Sequence, residues 1–200
     1  MADTEEPKYE IVERYDGWEV RRYAPMIQSH VTVEGAFRDA LSAGFRALAG
    51  YIFGQNSGSG TNSDSEKIAM TAPVSATLLA TDMPNSKAPP RWRVSFTMPA
   101  SYTMRTLPRP TNKQVTLEQH AGGLHAVVRF SGKLKSHTDS QSHQEKLLRS
   151  LSGAGLRQRG SAVIAQYNGP WVPGPFRRNE VLFPVECVDE NDARCTESAR

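Results

Sequence analysis

Residues 27–53 read IQSHVTVEGAFRDALSAGFRALAGYIF, and the period of their apolar residues changes in the middle. Over 27–33 the pattern alternates, with Ile27, Val31 and Val33 on one face and His30, Thr32 and Glu34 on the other, which predicts a half-buried strand. From Phe37 the spacing becomes i, i+3, i+4, i+7 through Ala40, Leu41, Gly44, Phe45, Leu48, Ala49 and Ile52, which predicts a helix over 37–53. A strand feeding a helix is therefore the unit from which the rest of the chain is read.

Upstream, the β-rich runs 9–12 and 18–23 flank Asp16-Gly17, a dipeptide suited to a tight hairpin turn. Downstream, 55–66 is almost wholly Ser, Gly, Asn, Thr and acid, so it is expected to be a mobile loop. Strand character returns through Met70, Thr71, Ala72, Pro73 and Val74 to Leu78, and again over 92–98, with a polar loop over 80–90 between them. Pro108 and Pro110 mark 105–111 as an extended connector. After it the order recurs. Val115-Thr116-Leu117-Glu118 resembles Glu10-Ile11-Val12-Glu13, a turn follows at Gly122-Gly123, and 125–130 answers 19–23. A second helix is expected over 142–151, opened by a capping box at Ser142 and Glu145 and buried through Leu147, Leu148 and Leu151. Strands over 161–167 and 180–186 follow. The expected architecture is α+β with a pseudo-two-fold internal repeat, its halves about 8–108 and 109–188 of a single domain 8–188, with 1–7 and 189–200 as flexible tails.

Composition bounds the function. At 38% hydrophobic and 22% charged residues, with 13 Pro and 15 Gly, the chain is that of a loop-rich globular protein. Even 37–53 is interrupted by Arg38, Asp39 and Arg46, so no membrane-spanning segment is expected. The acidic start lacks the pattern of a signal or transit peptide, which makes a cytoplasmic location the expectation. A net charge of +3 without a basic block argues against nucleic acid as a partner. Cys187 and Cys195 sit beyond the last expected strand, where they are expected to staple no core and form no four-ligand metal site. The five histidines match no zinc spacing.

Three stretches carry a family signal: Lys67-Ile68-Ala69-Met70-Thr71-Ala72-Pro73-Val74, Tyr167-Asn168-Gly169-Pro170 and Arg177-Arg178-Asn179-Glu180-Val181. With Tyr9-Glu10-Ile11 and Arg21-Arg22-Tyr23, they resemble the signature stretches of the SOUL/heme-binding family, in family order over about residues 8–186. The resemblance implies a distorted β-barrel of two antiparallel sheets flanked by two main helices. It also implies reversible, non-enzymatic binding of heme or another tetrapyrrole in a shallow apolar pocket beside the first helix, for transport or buffering.

The residues of that helix supply candidates. Heme is an apolar plate with two carboxylates, so its site needs exposed hydrophobic area with cationic or hydrogen-bonding groups at one edge. At ~100° per residue, Phe45, Ala49 and Phe53 run down one flank of the apolar stripe beside Arg38, Ser42 and Arg46. The plainer reading makes those apolar residues core and the arginines solvated. Where family members place basic residues this chain has Ser42 and Gly50, where they place Met it has Phe45 and Ala49, and where some place His it has Arg22. No axial histidine is therefore expected: His30, His120, His125, His137 and His143 read as structural or surface residues, and Met70 as core. Two other functions stay open. One is a protein-interaction module using the same pocket. The other is a small-molecule hydrolase by fold analogy with Glu180 as its acid, although no nucleophile elbow or phosphate loop supports it.

Overall fold

The computed structural model describes residues 4–58, 64–79 and 88–196. Along the chain come strands β1 (Tyr9–Tyr15), β2 (Trp18–Tyr23) and β3 (Met26–Glu34), then helix α1 (Phe37–Ile52). Next are β4 (Asn56–Ser57), β5 (Val74–Leu78), β6 (Arg91–Thr97), β7 (Arg109–Pro110), β8 (Thr116–His120) and β9 (Gly123–Phe130). Helix α2 (Gln141–Gly153), β10 (Leu156–Gln158), β11 (Val163–Gln166), β12 (Asn179–Cys187) and the short α3 (Ala193–Thr196) follow. The class is α+β, with antiparallel strands and two main helices. The backbone divides into two compact units, which cut the chain differently from the expected halves.

The first unit holds Met1–Pro7 and Pro25–His120. Its strands run in the order β5-β6-β3-β8, and β4 pairs β7 as a separate ribbon. Helix α1 lies on β3 and β6 and buries Phe37, Ala40, Gly44, Leu48, Tyr51 and Ile52. Close approach is possible because position 44 has no side chain: a Cβ there would stand 2.6 Å from Val94 Cβ. At the helix end, the buried Tyr51 hydroxyl donates to the Pro108 carbonyl at 2.8 Å, which docks the proline connector. The expected loop 55–66 is held at both described ends, since the buried Asn56 donates to the Tyr51 and Glu66 carbonyls and accepts from the Glu66 N–H. Residues 59–63 of that loop, and most of the polar loop 80–90, lie outside the described residues. Near the N-terminus, Glu5 bridges to Thr71, and its carboxylate accepts from the Ala100 N–H.

The second unit holds Lys8–Ala24 and Ala121–Arg200. Its order is β1-β2-β9-β12-β11, with β10 also paired to β12. Val20, Ala126, Val181 and Phe183 meet Leu147 and Leu151 of α2 in its core. The turn before β9 needs glycine, because Gly122 has φ 80° and a Cβ on it would strike the Tyr23 carbonyl oxygen. The entry to α2 corrects the sequence reading. A 3-10 turn, His137–Ser140, precedes the helix, and the cap is Ser136 with Asp139, whose carboxylate accepts from the Ser136 and Lys135 N–H groups. Those two bonds hold the Asp139 carboxyl below its usual range.

One correction concerns the C-terminus. Cys187 closes β12 instead of lying beyond it, and forms a disulfide with Cys195. Within the segment expected as a flexible tail from 189, the described residues 189–196 make charged contacts. Arg194 of α3 pairs Asp192 at 2.6 Å and Glu13 at 2.7 Å, and donates to the Ala154 carbonyl.

Within each unit no pairing joins the first strand of the order to the last among the described residues. In each, the strand before the helix is flanked on one side by a later hairpin and on the other by a strand from elsewhere in the chain. For β3 these are β6 and β8; for β9 they are β12 and β2.

The tightest contact gives a prediction. Gly44→Ala should destabilise the protein by about 1–3 kcal/mol in urea unfolding, because overpacking outweighs the ~1 kcal/mol that helix propensity favours alanine. Adding Val94→Ala should recover part of that loss, which a double-mutant cycle measures as a favourable coupling.

Candidate functional site

Helix α1 is amphipathic, and its outward side presents the six residues expected from sequence. Arg38, Ser42, Phe45, Arg46 and Phe53 are exposed and Ala49 is half-buried. At ~100° per residue they fall within one arc, with Phe45, Ala49 and Phe53 spanning ~12 Å along the axis. Phe45 is 40% exposed, its ring meeting Phe96 edge-on with centroids 5.5 Å apart, while Phe53, the C-cap, is 60% exposed. Phe45 is thus fixed from behind and free in front.

This arc suits a flat apolar ligand carrying carboxylates. Phe45, Ala49 and Phe53 supply apolar area, Arg38 and Arg46 supply cations, and Ser42 a hydroxyl. The arc holds no imidazole, thioether or thiolate, so it offers an iron ion no such ligand. Gly50 faces the end of the Gln55 side chain: a Cβ there would stand 2.5 Å from the Gln55 side-chain oxygen, so the flexible glutamine would have to shift to admit one.

The histidines are occupied elsewhere. His30 stands opposite Ser95 in β6, one position from the Val31–Val94 pair that faces α1, and therefore on the other side of that sheet. Burial, then the Arg93 charge, lowers its pKa. His120 and His30 each lie 3.7 Å from the Glu118 carboxylate. His125 packs edge-on against Tyr23, and His143 stacks on Phe130. His137 opens the 3-10 turn before α2. Met70 packs against the first unit's core, as expected. Arg22 is committed to the C-terminal segment, donating to the Arg194 carbonyl at 2.9 Å.

The remaining motifs, from stretches far apart in the chain, converge on Glu180. Glu180 is fully buried at the second residue of β12. Its carboxylate accepts two bonds from the Arg21 guanidinium, at 2.7 and 3.2 Å, one from Arg178 Nε at 3.0 Å and one from the Tyr167 hydroxyl at 2.9 Å. Arg21 also donates to the Tyr23 hydroxyl and to Glu19, and its guanidinium lies 4.3 Å from the Tyr9 ring centroid. Arg178 stacks over the Tyr167 ring at 3.6 Å, and its N–H donates to the Asn168 side chain. Burial alone would raise the Glu180 pKa, but the Arg21 hydrogen bonds and charge, aided by Arg178 and Tyr167, hold it below its ordinary value. Burial pushes the Tyr23 hydroxyl up to about 12 against the pull of Arg21. The phenols stay protonated and the carboxylate ionised, so the cluster is electrostatically closed. Arg-x-Tyr at 21–23 carried part of the signal: alternate residues of a strand share a face, and Glu19, Arg21 and Tyr23 lie on the face of β2 opposite the core residue Val20.

A separate recess of about 590 Å³ lies between two loops of the second unit, lined by Ser131, Gly132, Lys133, Pro173, Gly174 and Pro175.

The family model described as SOUL heme-binding protein matches residues 4–184. The chain belongs to that family. No curated protein matches it significantly. Among solved structures it is similar to a hydrolase from Listeria innocua, with a TM-score of 0.56 and 12% identity, covering 84% of this chain and 91% of that one. The C-terminal domain of EcmrR matches with a TM-score of 0.59 and 11% identity, over 90% and 99% of the two chains. EcmrR in its DNA complex matches with a TM-score of 0.61 and 11% identity, over 86% of this chain and 57% of that one. At such identities the likeness is one of fold.

The buried carboxylate sets a pH dependence. Its folded pKa lies below its ordinary value of 4.5, so its contribution to stability is complete above that value and is lost as pH falls through the folded pKa. Glu180→Gln should leave Arg21 buried without its carboxylate and cost about 3–5 kcal/mol at neutral pH. Urea unfolding from pH 7 downward should show the wild-type advantage shrinking below about pH 4.5. An equal gap at every pH would show that the carboxylate titrates alike in the folded and unfolded chain, and a gap that widens toward low pH would show that it is protonated in the folded protein.

Proposed function

We propose that this SOUL-family protein binds heme or a related tetrapyrrole reversibly on the outer face of α1, for transport or buffering, without catalysing a reaction on it. The observation that carries the reading is the pairing on one exposed arc of Phe45, Ala49 and Phe53 with Arg38, Ser42 and Arg46. The ligand supplies a large apolar plate and two carboxylates. Phe45, seated on Phe96, receives the plate, while Arg38 and Arg46 pair the carboxylates at its edge.

Affinity on such a surface is modest. Covering one face of the plate at ~25 cal/mol per Å² yields several kcal/mol, and association entropy offsets much of it. An exposed arginine–carboxylate pair adds ~1 kcal/mol or less. Micromolar or weaker binding follows, with no protein histidine on the iron.

The repeated order of strand, helix and hairpin supports a second element of the proposal, a pseudo-two-fold internal repeat in which each helix follows its central strand, β3 or β9. The hydrolytic alternative loses its acid. Glu180 is shielded and ion-paired to Arg21, so it has no proton to give near neutral pH. The interaction-module alternative would use the same arc.

Absorbance titration with hemin and with metal-free protoporphyrin tests the reading. The two dissociation constants should agree within about threefold, since iron contributes no bond. Phe45→Ala should weaken both by about 5- to 30-fold, from ~1–2 kcal/mol of lost contact. Arg38→Glu with Arg46→Glu should weaken both again. A six-coordinate low-spin hemin spectrum abolished by one His→Ala change would sink the site as drawn, and no binding of either ligand would favour the interaction module.

A further inference from the structure

Among the described residues, the two most exposed large hydrophobic side chains lie on one loop of the second unit. Trp171 is 82% and Phe176 is 79% exposed. This is not the exposure of an unheld loop. Arg177 donates to the Val172 and Pro170 carbonyls at 2.8 and 2.6 Å, the Gly132 N–H donates to the Gly174 carbonyl, and the Asn179 side chain in turn donates to the Gly132 carbonyl. Further turns close from Val172 to Gly169 and from Phe176 to Pro173. The Trp171 ring lies over Gly169, where a Cβ would collide with it. The backbone therefore holds two aromatic side chains out into solvent.

Their surroundings are cationic. The neighbouring loop contributes Lys133, whose side chain runs along Gly174, and Lys135; Arg177 and Arg178 end the aromatic loop. Residues 131–136 and 167–178 contain no acidic side chain. The acids beside them are already engaged: Asp139 accepts from backbone N–H groups, and Glu180 is buried against Arg21 and Arg178.

From this juxtaposition we propose that the 167–178 loop with Lys133 and Lys135 is a docking surface for an anionic lipid bilayer, Trp171 and Phe176 entering the interface and the lysines resting on the headgroups. An indole, with its polar N–H edge, favours the membrane–water boundary, a phenylalanine beside it adds buried apolar area, and nearby cations add attraction to acidic headgroups. A protein partner fits less well, because interface cores are depleted in lysine and require a complementary surface of roughly 800 Å² per side. Here two exposed aromatic rings stand on turns with Lys133 alongside, a shape that a deformable interface accepts. The surface attaches the protein peripherally and does not involve α1, so it stands independently of the tetrapyrrole reading.

Cosedimentation of the full chain with phosphatidylcholine vesicles, with and without 30% phosphatidylserine (~0.1 M salt), tests the proposal. Binding is expected to the anionic vesicles alone and should fall as salt rises. Trp171→Ala with Phe176→Ala should reduce it by at least about tenfold, and Lys133→Glu with Lys135→Glu by about fivefold or more per charge, with unfolding midpoints unchanged. Trp92 is buried and Trp18 is stacked on Tyr15, so a blue shift of tryptophan emission on vesicles should vanish in Trp171→Phe while cosedimentation persists. The proposal is overturned if anionic vesicles capture no protein, or if the aromatic pair can be removed without loss. Retention on a polyglutamate matrix without vesicle binding would overturn it in favour of an acidic protein partner.

Discussion

The Glu180 carboxylate is where the second unit is held together chemically. Nothing about a fully buried anion is favourable in itself, since removing it from water costs several kcal/mol before any partner is counted. It is tolerable because partners arrive from three separate stretches of chain, Arg21 on β2, Tyr167 after β11 and Arg178 just before β12. Each must be in place for the others to be satisfied, so the cluster acts as a register pin. A slip of β2 or β12 by one residue would turn the guanidinium or the carboxylate toward the apolar face, against Leu147 and Leu151. Specificity of pairing, more than added stability, is what such a cluster supplies.

The first unit is organised differently, around a close apolar contact. The missing side chain at Gly44 lets α1 lie close on Val94, and that closeness leaves the outer arc of the helix without a covering layer. Phe45 touches Phe96 with one edge and solvent with the other. A helix with no such exposed aromatics would be complete within its own unit; this one carries apolar area that its own unit leaves uncovered. The functional reading rests on that surplus and on the arginines beside it.

Much of this was legible in the chain. The change of period at Phe37 placed β3 and α1 correctly, and the Asp16-Gly17 and Gly122-Gly123 turns placed two strand starts, because those signals are local. The α2 cap was misplaced for a related reason: Ser142 with Glu145 and Ser136 with Asp139 fit the same pattern, and only the structure shows which N–H groups need an acceptor. The loop 55–66 looked structureless because composition cannot show that one amide, Asn56, bonds three backbone groups. Arg21, Tyr23, Tyr167 and Glu180 were visible as motif letters, but their meeting depends on pairings across some 160 residues, as the Arg21–Glu180 separation of 159 records. The anchoring of 189–196 by Arg194 escaped for the same reason, since its partner Glu13 lies 181 residues away.

The pairing of β2 with β9 also bears on how the chain comes to be folded as it is made. Tyr23 is opposite Gly123, and Glu19 is opposite Val127, so the β1-β2 hairpin leaves the ribosome about a hundred residues ahead of the strand it pairs with. The first unit waits less, for β8, whose Leu117 meets Ser29. During that interval β1 and β2 are a two-stranded ribbon, marginal in water by themselves. Their charged residues, Glu10, Glu13, Arg14, Glu19, Arg21 and Arg22, then serve a purpose before they have partners. Charge on a strand that must remain unpaired for seconds discourages it from finding another copy of itself. The same Arg21 that later secures Glu180 thus begins as a solubilising group on a waiting edge.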